Sequence, residues 1–501
     1  MPLDLVLINP ASRARVYQSL STSLAAVENP VWAGLIAAFA RTHGKSVVII
    51  DAEAEGLGPA DVAARVEDLA PRLAVIPVYG HQPSASTQNM PASGAVAAAI
   101  KELTPGIPVL MVGGHVAALP ERTLMEEACD FVARDEGLHT VVDLVDAYAA
   151  SATPDLSKVR GLVYRDGEAI VANPASPLVQ KLDVEMPMIA WDLLPMPAYR
   201  AHNWHCFGDV DREPYAAIYT TLGCPYHCTF CCIQAPFRGG EQAQGLKAGS
   251  SSYRFWSPAK VLEQIDLLVT KYGVRNIKFA DEMFVLHPRH IAAIADGIIA
   301  RGYDLNIWAY ARVDTVKDDM LDRLRRAGFR WLAFGIEAAD EGVLEDVDKR
   351  YSIEQVHTTI DKVKAAGIHI IGNFIFGLPE DTAESMQRTL DLAIDLNCEF
   401  ANFYSAMAYP GSALYTQALR EGWALPESWS GYSQHAVDTL PLPTRHLTAG
   451  EVLRFRDDAF QKYFAHPRYL DHVRRTFGEK TVEHIRAMAG HSLERRYAAT
   501  T

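Results

Sequence analysis

The chain alternates between short apolar runs and longer stretches whose apolar residues recur at helical spacing. In the first 150 residues the runs are apolar throughout, which is typical of parallel strands buried on both faces. They predict strands at residues 3–8, 46–51, 73–78, 108–112 and 130–133. We therefore expect residues 1–150 to form a doubly wound, Rossmann-like α/β sheet that binds ligands at the carboxyl ends of its strands.

Residues 151–213 interrupt this alternation. Residues 162–171 resemble two short strands around Asp166-Gly167, a dipeptide that favours a hairpin turn. A proline-rich stretch follows, through Pro187, Pro195 and Pro197. Proline at this density is typical of connecting segments, so we predict a linker that carries a hairpin.

A second alternating series occupies residues 214–420. It predicts strands at residues 216–221, 276–280, 305–311, 331–336, 369–376 and 400–407. This number of βα units favours a partial (β/α)6 TIM-like barrel, whose chemistry would lie at the carboxyl ends of the strands. Residues 421–501 are rich in helix formers and are predicted to form a helical C-terminal region.

Composition excludes several classes of protein. The chain has 501 residues, 49% of them hydrophobic, and a formal charge of −14. The negative charge argues against a nucleic acid partner, because phosphate binding requires a basic surface. No apolar run approaches the roughly 20 residues of a membrane span, and the chain starts without a basic, signal-like segment. We expect a cytoplasmic protein with no membrane span.

Four of the seven cysteines lie within nine residues, directly after a predicted strand. Cys224, Cys228 and Cys231 have the spacing Cys-x3-Cys-x2-Cys, which places three thiols on one tight loop. Thiolates are the ligands of soft metals and of iron–sulfur clusters. A four-iron cluster held by three cysteines leaves one iron free to bind a substrate or cofactor.

The spacing alone leaves other metal sites open. Cys232 is a fourth candidate ligand, although adjacent side chains rarely point at the same cluster. A structural zinc site is the alternative, with His227, or with His202, His205 and Cys206, as further ligands. The chain lacks the second Cys-x2-Cys pair that zinc ribbons usually have. An iron–sulfur electron carrier or a zinc-stabilised binding protein is the non-enzyme alternative.

The cysteine loop after the first strand of a partial barrel resembles the radical S-adenosylmethionine (SAM) enzymes. The resemblance implies that Cys224, Cys228 and Cys231 hold a [4Fe-4S] cluster whose open iron chelates SAM. One electron from the cluster then cleaves SAM to methionine and a 5′-deoxyadenosyl radical. It further implies that Phe230 lies beside the adenine of SAM.

Motifs at the ends of the later barrel strands agree with this resemblance. Asp281 and Glu282 stand where the family has a polar or acidic pair near the SAM amino group. Arg312 and Glu337 belong to segments similar to the Arg element and the Gly-Ile-Glu element of the family. The turn Gly377-Leu-Pro379-Glu380 completes the series. The resemblance does not say which of these residues contacts SAM.

The first domain resembles the cobalamin-binding module of radical SAM proteins. The matching stretches contain Gly113, Gly114 and His115, and then Glu136 and Gly137. Two adjacent glycines at a strand end let the backbone approach a bulky ligand. The loop after the third strand contributes candidate residues for the nucleotide tail of cobalamin, namely Tyr79, Ser84 and Ser86.

One departure bears on cobalt coordination. The Asp-x-His-x-x-Gly signature that supplies a cobalt-ligating histidine in other cobalamin proteins is absent from the chain. This argues against a histidine ligand below cobalt, and it leaves His115 more suited to contact phosphate or backbone than cobalt. A flavin- or nucleotide-binding sheet remains the alternative for the domain, although no Gly-x-Gly-x-x-Gly follows the first strand.

Taken together, the resemblances imply a cobalamin-dependent radical SAM C-methyltransferase of the class B type. Methylcobalamin would donate a methyl group to an unactivated carbon of a small-molecule, lipid or peptide substrate. A flavodoxin or ferredoxin is the expected electron donor. The alternative enzyme function uses the same two cofactors but catalyses cyclisation, ring rearrangement or oxidation of the substrate.

Overall fold

A seven-stranded sheet and a six-stranded sheet are the two centres of the fold in the computed structural model. The structure describes residues 3–18, 25–247 and 249–498. The first sheet has the order β2-β1-β3-β4-β5-β6-β7. Its strands are β1 (Leu5–Asn9), β2 (Val47–Asp51), β3 (Leu73–Val78), β4 (Val109–Gly113), β5 (Phe131–Ala133), β6 (Leu162–Asp166) and β7 (Ala169–Ala172).

Strands β1 to β5 pair in parallel, as the uniformly apolar runs predict. Leu5 and Leu7 enter one hydrophobic cluster, whereas Val6 and Ile8 enter a second cluster on the opposite face. Helices cover both faces, so the predicted doubly wound sheet is confirmed. They are α1 (Arg13–Tyr17), α2 (Val31–Thr42), α3 (Ala52–Glu55), α4 (Pro59–Leu69), α5 (Ala85–Leu103), α6 (Gly114–Ala118), α7 (Pro120–Glu126) and α8 (Leu138–Ala150).

The predicted hairpin forms, but it belongs to the first sheet. Strand β6 pairs antiparallel with β5, and β7 pairs antiparallel with β6. The sheet therefore continues past residue 150 into the segment predicted as a linker. The rest of that segment contains α9 (Leu182–Glu185) and short 3-10 turns. The division at residues 150, 213 and 420 stays a prediction.

The second sheet consists of parallel strands in the order β15-β14-β13-β12-β11-β8, which is the order of a partial barrel. These strands are β8 (Tyr215–Ile218), β11 (Asn276–Phe279), β12 (Asn306–Ala311), β13 (Phe329–Glu337), β14 (His369–Phe376) and β15 (Phe400–Ser405). A separate antiparallel pair, β9 (Thr221–Gly223) and β10 (Tyr253–Phe255), follows β8. We call the second sheet with its helices the barrel, and the first sheet with its helices the N-terminal domain.

The barrel helices alternate with its strands. They are α10 (Arg238–Ala243), α11 (Pro258–Tyr272), α12 (Pro288–Arg301), α13 (Asp318–Arg326), α14 (Glu341–Asp346), α15 (Ile353–Ala365), α16 (Ala383–Leu396) and α17 (Ala413–Glu421). Ser257 caps α11 by accepting a hydrogen bond from the Lys260 backbone N–H, with Pro258 at the first helical position. No helix among residues 3–18, 25–247 and 249–498 is long and apolar enough to cross a bilayer.

The C-terminal region is helical only from residue 449. It contains α18 (Ala449–Phe464), α19 (Pro467–Phe477) and α20 (Glu479–Ala489). The segment before them, residues 422–448, is irregular apart from a 3-10 turn at Trp429–Tyr432. The prediction of helix from residue 421 is therefore wrong for this segment, whose prolines and serines disfavour a helix interior.

An aromatic cluster closes the amino-terminal end of the barrel. The Trp204 ring, from the linker, lies 5.1 Å from Trp308, 5.7 Å from Trp331 and 5.9 Å from Phe400. These three partners come from β12, β13 and β15. The linker therefore fills this end of the barrel, and access to its interior must come from the carboxyl ends of the strands.

The N-terminal domain covers the open edge of the barrel. Strand β8 is an edge strand, and the Asn29 side chain pairs with it by accepting from Ala217 N at 2.7 Å and donating to Ala217 O at 3.1 Å. The neighbouring Glu28 accepts hydrogen bonds from Tyr215 at 2.8 Å and Lys278 at 3.0 Å. One hydrophobic cluster also runs from β1 through α2 into the barrel. The two units thus share a core.

A buried ion pair fixes the same interface. Glu136, directly after β5, binds the Arg254 guanidinium of β10 at 2.7 and 3.2 Å. The two side chains are 3% and 6% exposed. Arg254 also donates to Val179 O at 2.6 Å, and Val179 N donates to Glu136 at 3.1 Å. The pair therefore joins the N-terminal domain, the linker and the barrel.

Replacing Glu136 with Gln leaves the Arg254 charge buried without its counter-ion. We expect the free energy of unfolding to fall by about 3–5 kcal/mol in urea titrations. The control is Asp192→Asn, which breaks the exposed pair between Arg41 and Asp192 and should change stability by less than about 1 kcal/mol. Equal effects of the two variants would contradict this assignment.

A second buried carboxylate attaches the C-terminal helices to the barrel. The Glu399 side chain accepts from Ile370 N at 2.8 Å and lies 3.2 Å from His472 of α19 and 3.8 Å from His369. Burial opposes its charge, but hydrogen bonds from both histidines and from Ile370 N lower its pKa to about 2. The charged form is therefore stabilised in the folded state.

This shift predicts a pH-dependent stability. An unfolded glutamate titrates near about 4.3, so the stabilisation is complete above that pH and is lost as the pH falls toward the folded pKa. We expect Glu399→Gln to lower the melting temperature at neutral pH, and the difference from wild type to shrink below about pH 4. Thermal unfolding over a pH series measures this difference, with exposed Glu168→Gln as the control that should match wild type.

Candidate functional site

The cysteine loop begins where β9 ends, at the carboxyl end of the first barrel strands. Gly223 has φ of +90°, and a Cβ there would lie 2.2 Å from Ser252 O, so only glycine fits. Backbone hydrogen bonds from Thr229 N to Val347 O at 3.2 Å and from Leu414 N to Thr229 O at 2.8 Å fasten the loop. The loop is thus held between the segment after β13 and the start of α17.

The three thiols differ in exposure. Cys224 is buried, whereas Cys228 and Cys231 are half-buried. Burial raises the pKa of Cys224 to about 12 and that of Cys231 well above its ordinary value. A bound metal deprotonates a coordinating thiol outright, so these thiols suit a metal site better than free thiolate chemistry. All seven cysteines are free.

The structure does not support the zinc alternative. His205 contacts Asn306 O, and the Cys206 thiol lies 3.6 Å from Asn276, so both lie at the amino-terminal ends of the barrel strands. His227 is exposed. Within the described residues, no three His, Cys, Asp or Glu side chains converge as the ligands of one ion would. Three thiols on one loop fit a cluster, whose cysteines bind separate irons.

Arg312 extends from the end of β12 to the cysteine loop. Its Nη1 lies 3.7 Å from the Cys228 sulfur, and its guanidinium lies 3.9 Å from the centre of the Tyr226 ring. Burial opposes its charge, but hydrogen bonds to Asp314 at 3.0 and 3.2 Å raise its pKa. The predicted site residue therefore lies against the loop as a fixed cation.

The adjacent Asp281 and Glu282 have different surroundings. Asp281 is fully buried, and its Oδ1 accepts from the backbone and hydroxyl of Thr220, at 2.9 and 2.7 Å, and from the Thr221 hydroxyl at 2.7 Å. It therefore fixes the link between β8 and β9. Glu282 instead lines a cavity beside Cys232. Burial, with the neighbouring Asp281, raises its pKa to about 8 although Lys278 opposes the shift.

Glu337 and Phe230 both lie close to Lys349. Glu337 has φ of +60° and forms a buried ion pair with Lys349. The Lys349 ammonium lies 5.9 Å from the Phe230 ring and 5.9 Å from that of Tyr351. A non-glycine residue in this left-handed conformation at a strand end is typical of functional sites. Neither Phe230 nor Glu337 lines the cavity that contains Glu282.

That cavity, about 460 Å³ of free space when the solvent at its mouth is counted, lies between the N-terminal domain and the cysteine loop. Tyr79, Ser86 and Gly114, three of the residues predicted for the cobalamin site, line it. A Cβ at Gly114 would point toward Ser86 and Pro236 at 3.6 and 3.9 Å. The full set of lining residues is Trp32, Tyr79, Gly80, Pro83, Ser86, Gly114, Tyr219, Thr221, Leu222, Gly223, Cys232, Ile233, Pro236, Phe237 and Glu282.

Other residues predicted for the cobalamin site do not line this cavity. Gly113 packs against β3, where a Cβ would lie 2.1 Å from Val78 O, and Gly137 packs against Val112. Ser84 precedes the first turn of α5, outside the lining. Glu136 is engaged with Arg254 at the interface. The motif around residue 136 therefore serves domain docking in this structure.

His115 is buried beside the cavity without lining it. Its Nδ1 lies 3.1 Å from the Thr87 hydroxyl, and its ring lies 4.3 Å from that of Trp429, edge to face. Burial lowers its pKa to about 3, so the imidazole is neutral. Trp429 comes from the irregular segment 422–448, which therefore packs on the N-terminal domain.

Sequence reasoning missed Cys232 and Trp32 as residues of the cavity. Cys232, a fourth candidate ligand in the sequence, is buried and lines the cavity. Trp32 lies in α2, and its ring stacks on Tyr79 at 4.2 Å with an interplanar angle of 12°. No sequence motif marks either residue, because their position depends on how the N-terminal domain meets the barrel.

The donor set and the glycine-edged cavity fit a cluster and a bulky planar cofactor, respectively. The Radical SAM superfamily model matches residues 218–393, and the B12 binding domain model matches residues 18–145. An uncharacterized methyltransferase of Pyrococcus horikoshii is 28% identical over 469 residues, which cover 93% of this chain and 94% of that protein.

Two solved structures share the fold. The cobalamin-dependent SAM radical enzyme OxsB, with aqua-cobalamin and SAM bound, has a TM-score of 0.70 at 15% identity, covering 98% of this chain and 72% of that one. The radical SAM methyltransferase TsrM from Kitasatospora setae, with cobalamin and cluster bound, has a TM-score of 0.64 at 16% identity, covering 84% and 75%. The chain therefore contains a B12-binding domain followed by a radical SAM domain, in the fold that OxsB and TsrM share.

Proposed function

We propose that the chain is a C-methyltransferase that transfers a methyl group to an unactivated carbon of its substrate. The observation that carries the proposal is the cavity in which the strand end at Gly114 faces Cys232 and Glu282 of the barrel. When bound, SAM and a [4Fe-4S] cluster supply a radical that removes hydrogen from carbon, and methylcobalamin supplies the methyl group. The methyltransferase relative of similar length supports this reaction.

We assign the residues around the cysteine loop to two tasks, binding the cluster and binding SAM. Cys224, Cys228 and Cys231 would hold the cluster. Arg312 supplies a fixed positive charge 3.7 Å from the Cys228 sulfur. We assign Phe230, Glu282 and Glu337 to the surroundings of SAM, and Asp281 to holding the strand link on which they depend.

The N-terminal domain would hold cobalamin and exclude water. Gly114 and Ser86 leave room at the strand ends, and the neighbouring Gly113 keeps β4 close to β3. The stacked rings of Trp32 and Tyr79 line one side of the cavity. An apolar wall keeps a radical site dry and so protects reactive species from water.

We further propose a reducing, cytoplasmic setting with a flavodoxin- or ferredoxin-type electron donor. The seven free cysteines support it, because thiols remain reduced in that compartment. Cyclisation or oxidation of the substrate is the alternative outcome with the same cofactors. The mass of the product separates them, since methylation adds carbon and the others do not.

Single replacement of the loop cysteines tests the cluster. We expect Cys231→Ser to lose most of the iron and the visible absorption of anaerobically reconstituted protein, because one of three thiolates is gone. Cys232→Ser, at the adjacent position, should retain iron and SAM cleavage. Retained iron in Cys231→Ser with loss in Cys232→Ser would contradict the assignment.

Filling the glycine-edged cavity tests the cobalamin site. A Gly114→Leu side chain would occupy the space between Ser86 and Pro236, so we expect hydroxocobalamin binding to weaken at least about tenfold, or about 1.4 kcal/mol. The matched control is Gly106→Leu, where a Cβ meets nothing within 4 Å. Unchanged corrin retention by Gly114→Leu, read from the absorption of gel-filtered protein, would exclude this cavity.

A further inference from the structure

The inner face of the last two barrel strands carries polar side chains beside the apolar Ile371 and Ile375. Phe374 of β14 and Phe403 of β15 stack at 5.6 Å, and Phe403 packs on Tyr463 of α18. Because α18 lies outside the barrel, both phenylalanines face outward. Side chains alternate along a strand, so Asn373, Asn402 and Tyr404 face the barrel interior. All three keep partial solvent access although helices cover the outer face. They therefore border an open chamber inside the barrel.

Two segments from the ends of the chain close this chamber. The Tyr17 ring of α1 lies 5.4 Å from the His435 ring, which comes from the irregular segment 422–448. Ser433 donates to Val16 O at 2.9 Å and accepts from His435 N at 3.2 Å, and Gln18 donates to His435 O. We call the surface formed by Tyr17, Tyr404 and His435 the polar wall.

The polar wall offers unused hydrogen-bonding groups. The Nδ1 of His435 is buried and has no hydrogen-bond partner within the described residues. Burial raises the pKa of Tyr17 to about 12, and burial with the charges of Arg456 and Arg495 lowers that of His435 well below its ordinary value. Burial also raises the pKa of Tyr404, so all three groups are neutral. Each tyrosine hydroxyl can donate a hydrogen bond, and the His435 Nδ1 can donate in one imidazole tautomer. A purely apolar occupant would leave them unpaired, which costs about 1–3 kcal/mol per group.

A surplus positive charge lies behind the polar wall. Arg456 and Arg495, 6% and 4% exposed, both bind Asp457, at 2.8 and 3.0 Å. Two guanidinium groups share one carboxylate, so the three side chains together carry a net charge of +1. Arg495 also donates to Gln434 O at 2.9 Å and to Ala436 O at 3.1 Å, on both sides of His435. The positive charge therefore acts on His435 and, through Arg456, on Tyr404, whereas the carboxylates of Glu28 and Glu53 act on Tyr17 and that of Glu337 acts on Tyr404.

We infer that the substrate carries a carboxylate or similar oxyanion, and that Tyr17, Tyr404 and His435 bind it while Arg456 and Arg495 favour its charge. This inference rests on the proposed function, since it places the substrate in the chamber that opens toward the cysteine loop. It excludes a hydrocarbon lipid as the methyl acceptor. It also makes the irregular segment 422–448 part of the substrate site.

Two fluorinated probes of equal shape test the charge preference. 4-Fluorobenzoate and 4-fluorobenzamide are titrated against the anaerobic holoenzyme, and binding is read from the ¹⁹F line width of each probe. We expect the carboxylate to bind at least about tenfold more tightly than the amide. In Tyr404→Phe and His435→Phe this preference should fall to about threefold or less.

The control variant is Tyr148→Phe on α8 of the N-terminal domain, which should keep the preference of wild type. Equal binding of both probes, binding of neither, or a preference that survives in both wall variants would overturn the inference. Iron and corrin content are measured on the same samples. Their absence from wild type would contradict the proposed function, whereas full loading with no carboxylate preference would contradict only the substrate class.

Discussion

The docking of the N-terminal domain onto the open edge of the barrel is the constraint on which the rest of the structure depends. A partial barrel leaves the backbone of β8 unpaired on one side, and an unpaired buried strand edge is costly. The Asn29 amide satisfies it by pairing with Ala217 in both directions. Glu28 and the pair of Glu136 with Arg254 then fix the angle at which the two units meet.

The site follows from this docking. The carboxyl ends of β3 and β4 are brought opposite the cysteine loop, and the space left between them is the cavity of about 460 Å³. Because one hydrophobic cluster spans both units, the cavity has rigid walls. The same arrangement brings α1 and residues 433–435 together over the last barrel strands. One docking event therefore shapes both the cofactor cavity and the polar wall.

Much of the local architecture could be predicted from apolar patterning. Strands β3 and β14 have the predicted bounds, and the other predicted strands lie within a few residues of the observed ones. The hairpin at Asp166-Gly167 was predicted as an element but not as part of the first sheet, because strand pairing over distance leaves no local signal. Composition wrongly predicts helix for the irregular segment 422–448, because a count of helix formers does not show where prolines and serines interrupt them.

For the site, the sequence by itself placed three cysteines on one short loop, where they stay together in any fold of the chain. The adjacent Gly113 and Gly114 likewise marked a strand end without side chains. Only the tertiary structure decided that Asp281 supports the strand link while its neighbour Glu282 faces the cavity, and that Glu136 binds Arg254. It also placed Cys232, Trp32 and His435, because their surroundings come from segments far apart in the chain. Functional residues that are neighbours in the chain can be recognised from the sequence. Groups that come together only through contact between domains depend on how the domains pack.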